Sequence, residues 1–324
     1  MARYLVTGVA GFIASRVAEL LLKDGHTVVG VDNMNDAYDV RMKQHRLEQI
    51  EGTEGFQFHQ LDIGDKEAVA ALADDGPYDA VINLAARAGV RASLEDPWVY
   101  VRTNMDGTLN LLELCRHHNI KKFVLASTSS IYGADAPLPT PETANSSTPL
   151  QPYAATKKGA EAMCHAYHFL YDIDVTIVRY FTVYGPAGRP DMVMFRFAKW
   201  IREGESIQLN GDGEQSRGFT YVDDVARGTI LATKNLGFEI INLGGHESIT
   251  INELIALLEE HIGKKGQVER YPFPKADVIA SWANVEKAGK MLGWEPAISL
   301  QEGVKRVVDW YEEQRHWAQD LDLD

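Results

Sequence analysis

The chain has 324 residues, enough for a large α/β unit with an appended lobe. Its 46 Asp+Glu outweigh 32 Lys+Arg for a formal net charge of −14, and no basic tract stands out, which argues against a phosphate-tracking nucleic-acid binder. No run approaches the ~18 apolar residues of a membrane span, and the first apolar stretch leads into a strand-turn-helix pattern with no cleavage-site chemistry, so neither membrane insertion nor secretion is expected.

Short β-branched runs alternate with segments of helical period through the first half. Strands are expected at Arg3–Thr7, Thr27–Asp32, Phe56–Leu61, Ala80–Leu84 and Phe123–Ala126, with helices at Phe12–Lys23, Val40–Ile50, Lys66–Ala73 and a long Trp98–His118. Near-continuously apolar strands in βαβ alternation imply a doubly wound parallel sheet of Rossmann type, covered on both faces. A second long helix, Tyr153–Tyr171, leads into the strand Val175–Tyr180. Beyond Gly185 the rhythm breaks at Pro186, Gly188 and Pro190; helices follow at Met192–Glu203, Val225–Lys234, Ile251–Ile262, Val285–Met291 and Leu300–Glu313, with strands near Ile207–Leu209, Gly218–Tyr221 and Ile240–Asn242. Residues 1–180 thus read as a dinucleotide-binding domain to which segments near 219–242 return, and 181–324 as a smaller α/β lobe; the acidic tail Asp320–Asp324 is expected to fray. Cys115 and Cys164 fall in amphipathic helices without partners at ligand spacing, so they read as reduced core residues of a cytoplasmic protein, and no metal site is expected.

The first strand runs into Thr7-Gly8-Val9-Ala10-Gly11-Phe12-Ile13-Ala14 and then a helix, the context in which a glycine pattern signals a dinucleotide site. Gly8 permits the tight turn, and Gly11 lets backbone approach a pyrophosphate at the helix N-terminus before Phe12 and Ile13. Ala14 takes the third small position. Asp32, followed by Asn33, lies about 20 residues past Gly11, where a carboxylate accepts both ribose hydroxyls. Asp32 would repel a 2′-phosphate and no Arg follows closely, so NAD is favoured over NADP. Asp62-Ile63 and Leu84-Ala85-Ala86 end the next two strands, where ligands lie in an open sheet. Asp62 reads equally as an adenine contact or a helix N-cap, and Ala85 and Ala86 as walls beside a dinucleotide or simply as tight packing.

After the fifth strand comes Ser127-Thr128-Ser129-Ser130-Ile131-Tyr132-Gly133, and the next helix opens Tyr153-Ala-Ala-Thr-Lys157. Tyr and Lys four apart share a helix face, so the ammonium can favour the ionised phenol, which near its usual pKa of ~10 needs such help to act as a base. Alone the pair would be a solvated one; with the dinucleotide pattern and hydroxyl cluster the catalytic reading prevails.

On these motifs the chain resembles, along essentially its whole length, the extended short-chain dehydrogenase/reductase superfamily, specifically nucleotide-sugar 4-epimerases. The resemblance implies that Tyr153 is the base, that Lys157 orients the nicotinamide ribose, and that Thr128 bonds the sugar O4. Tyr180 and Asn104 fall on the cofactor side; Asn104, in Asn-x-x-Gly-Thr, reads also as a helix-internal hydrogen bond. Arg179-Tyr-Phe-Thr182-Val-Tyr-Gly185-Pro-Ala-Gly-Arg189-Pro-Asp-Met192 and Gly89-Val90-Arg91 look like the signature of UDP-glucuronate 4-epimerases. A C5 carboxylate calls for charge-assisted hydrogen bonds, which Arg189, Thr182 and Ser129 could supply, the alternative for Arg189 being a loop salt bridge. Arg91 faces carboxylate or diphosphate. Family decarboxylases and dehydratases carry an acid where Ser130 stands. Gln215 and Arg217 lie in the family segment whose Arg grips the diphosphate; the second phosphate contact near Asp277 departs from the pattern, leaving Lys275 or Arg270 as substitutes.

The resemblance therefore implies an NAD-dependent UDP-sugar 4-epimerase, most specifically for UDP-glucuronate, working through a 4-keto sugar, and a homodimer joined by a four-helix bundle of the two long helices. A UDP-glucose or N-acetylhexosamine epimerase, a UDP-glucuronate decarboxylase, and a non-catalytic nucleotide sensor on the same fold are the competing readings.

Overall fold

The computed structural model describes residues 1–245, 247–274 and 277–323. Seven parallel strands form one sheet: β1 (Arg3–Thr7), β2 (Thr27–Asp32), β3 (Phe56–Gln60), β4 (Ala80–Asn83), β5 (Lys122–Thr128), β6 (Asp174–Tyr180) and, from much later in the chain, β10 (Phe238–Leu243). The spatial order β10-β6-β5-β4-β1-β2-β3 reverses at β1, whose neighbours β4 and β2 lead the chain away in opposite directions, so the ligand crevice of such a sheet opens beyond Thr7 and Asn83. Every residue of β5 is buried, as expected of a strand covered on both faces. The polar groups at this crevice satisfy one another: Thr7 Oγ1 donates to Asn83 Oδ1 (2.8 Å) and accepts from Ala85 N (3.1 Å), while Asn83 Nδ2 donates to Thr108 Oγ1 (3.1 Å).

Helices α1 (Phe12–Lys23), α2 (Arg41–Glu48), α3 (Lys66–Ala71), α4 (Pro97–Tyr100), α5 (Gly107–His117) and α6 (Pro152–Tyr171) alternate with these strands. The helix expected over Trp98–His118 is instead α4 and α5 joined by a wide π-turn, Val101–Asp106. The extra residue per turn directs Thr103 and Asn104 inward, and such bulges gather at functional sites.

Beyond Tyr180 the chain also forms β7 (Thr182–Tyr184), α7 (Val193–Glu203), β8 (Ser206–Asn210), β9 (Ser216–Tyr221), α8 (Val222–Leu231), β11 (Ser248–Thr250), α9 (Ile251–Ile262), β12 (Gln267–Tyr271), β13 (Ala280–Ser281), α10 (Glu286–Leu292) and α11 (Leu300–Ala318); α8 and α10 join the apolar core of the sheet, and the rest make up a second lobe. The brief strands β7, β11, β12 and β13 give no usable period, and β9 gathers three of them about itself. Helix α8 packs on α1. The C-terminal tail is packed through Leu323: Leu321 and Leu323 are buried, Lys199 Nζ donates to Leu321 O (3.2 Å), Arg41 Nη2 to Asp320 O (2.7 Å), and Asp322 N to Asp39 Oδ2 (3.3 Å), while Asp324 lies outside the described residues. The two leucines find an apolar surface that includes Tyr38 and Met42 of the α2 region, a tertiary contact with no local sequence mark.

Candidate active site

A cavity of about 400 Å³ lies across the C-terminal ends of the sheet strands and continues under the β7–α7 segment. Its floor is the first βα turn. Gly8 sits at φ +71°, and a Cβ there would stand 2.8 Å from Ala85 Cα, so the turn packs directly on the backbone after β4. Gly11 begins α1 in extended conformation without a side-chain cap, which leaves the N–H groups of Phe12 and Ile13 at an open helix terminus. At the end of β2, Asp32 Oδ1 accepts from Met34 N (2.8 Å) and from Lys43 Nζ (3.3 Å), while Oδ2 has no partner among the described residues. Asn33 Nδ2 donates to Asp62 Oδ2 (3.2 Å). Asp62 Oδ1 closes a turn on Gly64 N (2.8 Å), and the N-cap of α3 is Asp65, not Asp62. Ile63, Leu84, Ala85, Ala86 and Tyr180 complete this wall. An anion-seeking helix terminus, a carboxylate with a free oxygen and small side chains between them suit a dinucleotide such as NAD.

Opposite lie the groups of acid-base character. Thr128 ends β5, accepts from Ser130 N (3.1 Å) and donates to Ser130 Oγ (3.2 Å). The Tyr153 phenol, at the first turn of α6, lines the same cavity, and the Thr128 hydroxyl acts on its ionisation. Burial raises the Tyr153 pKa, and the Thr128 hydroxyl and the Arg189 charge oppose that rise. Arg189 thus acts on the phenol from across the cavity, in addition to the Lys157 that the i,i+4 spacing places on the same helix face. Lys157, buried one turn further along, is pushed down to about 8 by desolvation, against which Glu161 pulls it back.

Behind them is a dry network. Arg179 Nε and Nη2 fork onto Glu161 (2.9 and 2.7 Å), Ser127 Oγ donates to Glu161 Oε1 (2.6 Å), and Arg179 Nη1 donates to the Tyr132 hydroxyl (3.0 Å), which donates to Asn242 Oδ1 (2.7 Å). Strands β5, β6 and β10 are thereby locked to α6 beneath the tyrosine.

Thr182, Arg189 and Met192 line the far end, with Ser129, Ser130, Gly89 and Val90. Arg189 Nε and Nη2 fork onto Asp191 (2.9 and 2.6 Å), so the loop salt bridge weighed from sequence exists, yet the guanidinium still faces the cavity. Five residues expected at the site stand outside the cavity lining. Asn104 is buried and braces the loop after β4: its Oδ1 accepts from Arg87 N (3.0 Å) and its Nδ2 donates to Arg87 O and Thr156 Oγ1 (both 3.1 Å). Arg91 and Asp277 bind each other (2.7 Å). Gln215 Nε2 turns back to Asn210 O (2.7 Å). Arg217 donates to the carbonyls of Ser216 (2.7 Å), Val278 (2.7 Å) and Ile279 (3.2 Å). Of the two substitutes for the second phosphate contact, Arg270 donates to the carbonyls of Gly211 and Asp212 (3.4 and 2.5 Å), and Lys275 lies outside the described residues.

Several lining residues escaped the sequence reading: Asn35, Tyr38, Lys43 and Thr103. Lys43 matters most, because a cation does stand at Asp32 despite the missing nearby Arg. Its signal was an apolar-period helix, Val40–Ile50, beginning just after the acidic strand end. Tyr100, also missed, holds the Gly89 loop through its hydroxyl on Gly89 O (3.1 Å) and packs edge-on to Tyr153 at 6.1 Å.

The pattern of the NAD-dependent epimerase/dehydratase family matches residues 4–244. A UDP-glucuronate 4-epimerase of Thermodesulfobacterium geofontis is 58% identical over 314 residues, 97% of either chain. The structure matches that of the UDP-glucuronic acid 4-epimerase from Bacillus cereus in complex with UDP-glucuronic acid and NAD, with a TM-score of 0.91 at 38% identity over 96% of this chain and 99% of that one. It also matches the UDP-glucose 4-epimerase of Thermotoga maritima with UDP-glucose, with a TM-score of 0.90 at 34% identity over 97% and 99% of the two chains.

Proposed function

The chain belongs to the NAD-dependent epimerase/dehydratase family, and from that premise we propose that it interconverts UDP-glucuronate and UDP-galacturonate by NAD-dependent 4-epimerisation. The observation that carries this reading is one cavity lined by the dinucleotide turn, Thr128, Tyr153 and Arg189.

NAD, when bound, accepts a hydride from sugar C4 and returns it to the opposite face, so no net oxidation results. Asp32 holds the adenosine ribose, the α1 terminus the pyrophosphate, and Lys157 the nicotinamide ribose. Tyr153, relayed through Thr128, takes the proton from sugar O4 and gives it back. Burial alone keeps the phenol protonated; the Arg189 charge favours the ionised form that can take up the proton.

Oxidised at C4, a glucuronate is a β-keto acid that loses CO2 when its carboxyl bond aligns with the carbonyl π system. Arg189, Thr182 and Ser129 hold the carboxylate out of that alignment. The acid used by family decarboxylases and dehydratases is replaced by Ser130, which lines the cavity without offering a carboxyl proton.

Arg217 takes the diphosphate. All its partners are neutral carbonyls, burial lowers its pKa, and only Asp277 nearby opposes that, so a largely buried guanidinium lacks a full counter-charge. The division at residue 180 is read accordingly: nucleotide cofactor on the sheet side, UDP-sugar against the second lobe.

No helix among the described residues is long and apolar enough to cross a membrane, and the two cysteines are buried and reduced, which supports a cytoplasmic setting. Trp98, Leu94, Phe169 and Leu170 leave large apolar side chains exposed on the α4 and α6 side, supporting a two-fold dimer through helices α5 and α6. Sedimentation at twice 36.1 kDa is expected; a monomer alone would remove the dimer.

The test is incubation of the purified protein with UDP-glucuronate, without added reductant, followed by proton NMR. UDP-galacturonate is the expected product. UDP-pentose with released CO2 would replace this reading by decarboxylation, and conversion of UDP-glucose alone would remove the carboxylate from it.

A further inference from the structure

We propose that Tyr38 is a positioning residue for sugar selectivity, its ring face holding the Arg189 guanidinium in the plane from which it meets a substrate carboxylate. The proposal rests on the carboxylate reading of Arg189 given above.

Arg189 hangs from a loop that does little to fix a long side chain. Gly185 and Ala187 both lie at positive φ (+156° and +53°), and Gly188 and Pro190 flank the arginine. Asp191 takes Nε and Nη2, which restrains one edge of the guanidinium but leaves it free to hinge about that edge. The Tyr38 ring supplies the missing restraint, with its centroid 5.4 Å from Arg189 Cζ. Nη1, opposite the Asp191 fork, has no partner among the described residues and is the donor left for a ligand.

The ring is fixed in turn. Tyr38 is almost fully buried and lines the cavity. Its hydroxyl accepts from Arg46 Nη1 (2.7 Å), and Arg46 also donates from Nη1 to Ala10 O (3.3 Å) and from Nε to Ala187 O (2.8 Å). One arginine thus ties the dinucleotide turn, the Tyr38 ring and the Arg189 loop together. Arg46 Cζ and Lys43 Nζ lie 5.4 and 5.6 Å from the same ring. Three cations around one aromatic repel each other. Asp32 offsets Lys43 and Asp191 offsets Arg189, whereas Arg46 has no carboxylate among the described residues, only carbonyls, the phenol and the Phe12 ring, so the Tyr38 ring is the one counterweight that all three cations share. A hydrophobic side chain of similar size would fill the space without that charge.

The experiment reads ring electronics at constant shape. Tyr38→Phe, then its 4-fluoro, 3,5-difluoro and 3,4,5-trifluoro analogues, are made in a Tyr153→Phe background that arrests turnover, and Kd values for UDP-glucuronate and UDP-glucose are measured on the NAD-loaded protein by calorimetry. These ligands differ only in carboxylate against hydroxymethyl. The preference for UDP-glucuronate is expected to fall stepwise with fluorine number, by roughly threefold to thirtyfold over the series, with UDP-glucose affinity held within about twofold. A preference that stays flat across the series, or both ligands weakening together, would overturn the proposal. Arg189→Leu in the same assay separates it from its premise. Lost preference in Arg189→Leu with a flat fluorine series condemns Tyr38 alone; retained preference in Arg189→Leu removes the carboxylate reading and the proposal with it.

Discussion

On the dinucleotide side of the cavity the side chains stand at the ends of neighbouring parallel strands, whereas on the sugar side they hang from a glycine- and proline-rich segment between β7 and α7. Thr7, Asp32 and Thr128 are placed by ladder register, so moving any of them means slipping a strand. Arg189 is placed by contacts: one carboxylate and one ring. The sheet side is rigid by topology, and the sugar side is adjustable at the cost of a few side chains. That arrangement lets one scaffold keep its cofactor while the accepted sugar varies.

The two sides meet at Tyr153, where the largest effect is expected. Tyr153→Phe removes the phenol that lines the cavity with Thr128 and should lower the epimerisation rate by about 10²- to 10⁴-fold, leaving NAD content unchanged. Proton NMR rates with the absorbance of bound cofactor check both parts; turnover of UDP-glucuronate at the parent rate would sink the assignment.

The rigidity of the sheet side is tested by Glu161→Gln. It strips the counter-charge from Arg179 in a network with almost no solvent access and should cost about 3–5 kcal/mol in urea unfolding, the range for breaking a buried ion pair. A loss below about 1 kcal/mol would mean that the network does not hold the strands to α6.

Legibility from sequence followed the same divide. The glycines, Asp32 and the hydroxyl run could be placed at the cavity because a strand end fixes where its residues point, while Asp62 stayed open between ligand contact and N-cap. On the sugar side the partners are distant in sequence. Arg91 and Asp277, 186 positions apart, satisfy one another, and no local period announces such a pair. Lys43 lies 11 positions beyond Asp32 with no local mark of the pairing, yet α2 folds it back onto that carboxylate. The tail was misread because acidic composition suggests solvation, while Leu321 and Leu323, two positions apart, are what bury it. The π-turn at Val101–Asp106 was invisible to a 3.6-residue period, since one extra residue only shifts its phase.

Lys157 sharpens the comparison through pH. Its folded-state pKa of about 8 lies below the ordinary lysine value of 10.5, because burial disfavours the ammonium. Below about 8 the lysine is charged in both folded and unfolded chains, and the desolvation penalty is present in full. Between about 8 and 10.5 the unfolded chain binds the extra proton, so stability rises with pH in that window. Lys157→Met should therefore be more stable than the parent at pH 7 by up to about 3 kcal/mol, with the two converging toward pH 10. Its epimerase activity should collapse, as expected where function is held at the expense of stability. Urea denaturation at both pH values decides the matter; a variant less stable at pH 7 would show that the ammonium is favourably solvated inside.

The smallest effect belongs to the pair that bridges the two sides at the surface. Arg91 Nη2 and Asp277 Oδ2 are 2.7 Å apart, but the Arg91 side chain is 53% exposed, so the bond competes with water at both ends. A double-mutant cycle through Arg91→Ala and Asp277→Ala should give a coupling below about 1 kcal/mol. That coupling should fade as ionic strength brings the Debye length toward the ~3 Å of 1 M salt. The same variants should raise KM for UDP-glucuronate and UDP-glucose equally, by less than about fivefold, because the pair tethers the Gly89 loop to the second lobe without touching the cavity. A selective rise for UDP-glucuronate would return Arg91 to the carboxylate, and the sugar side would then be held by two arginines instead of one.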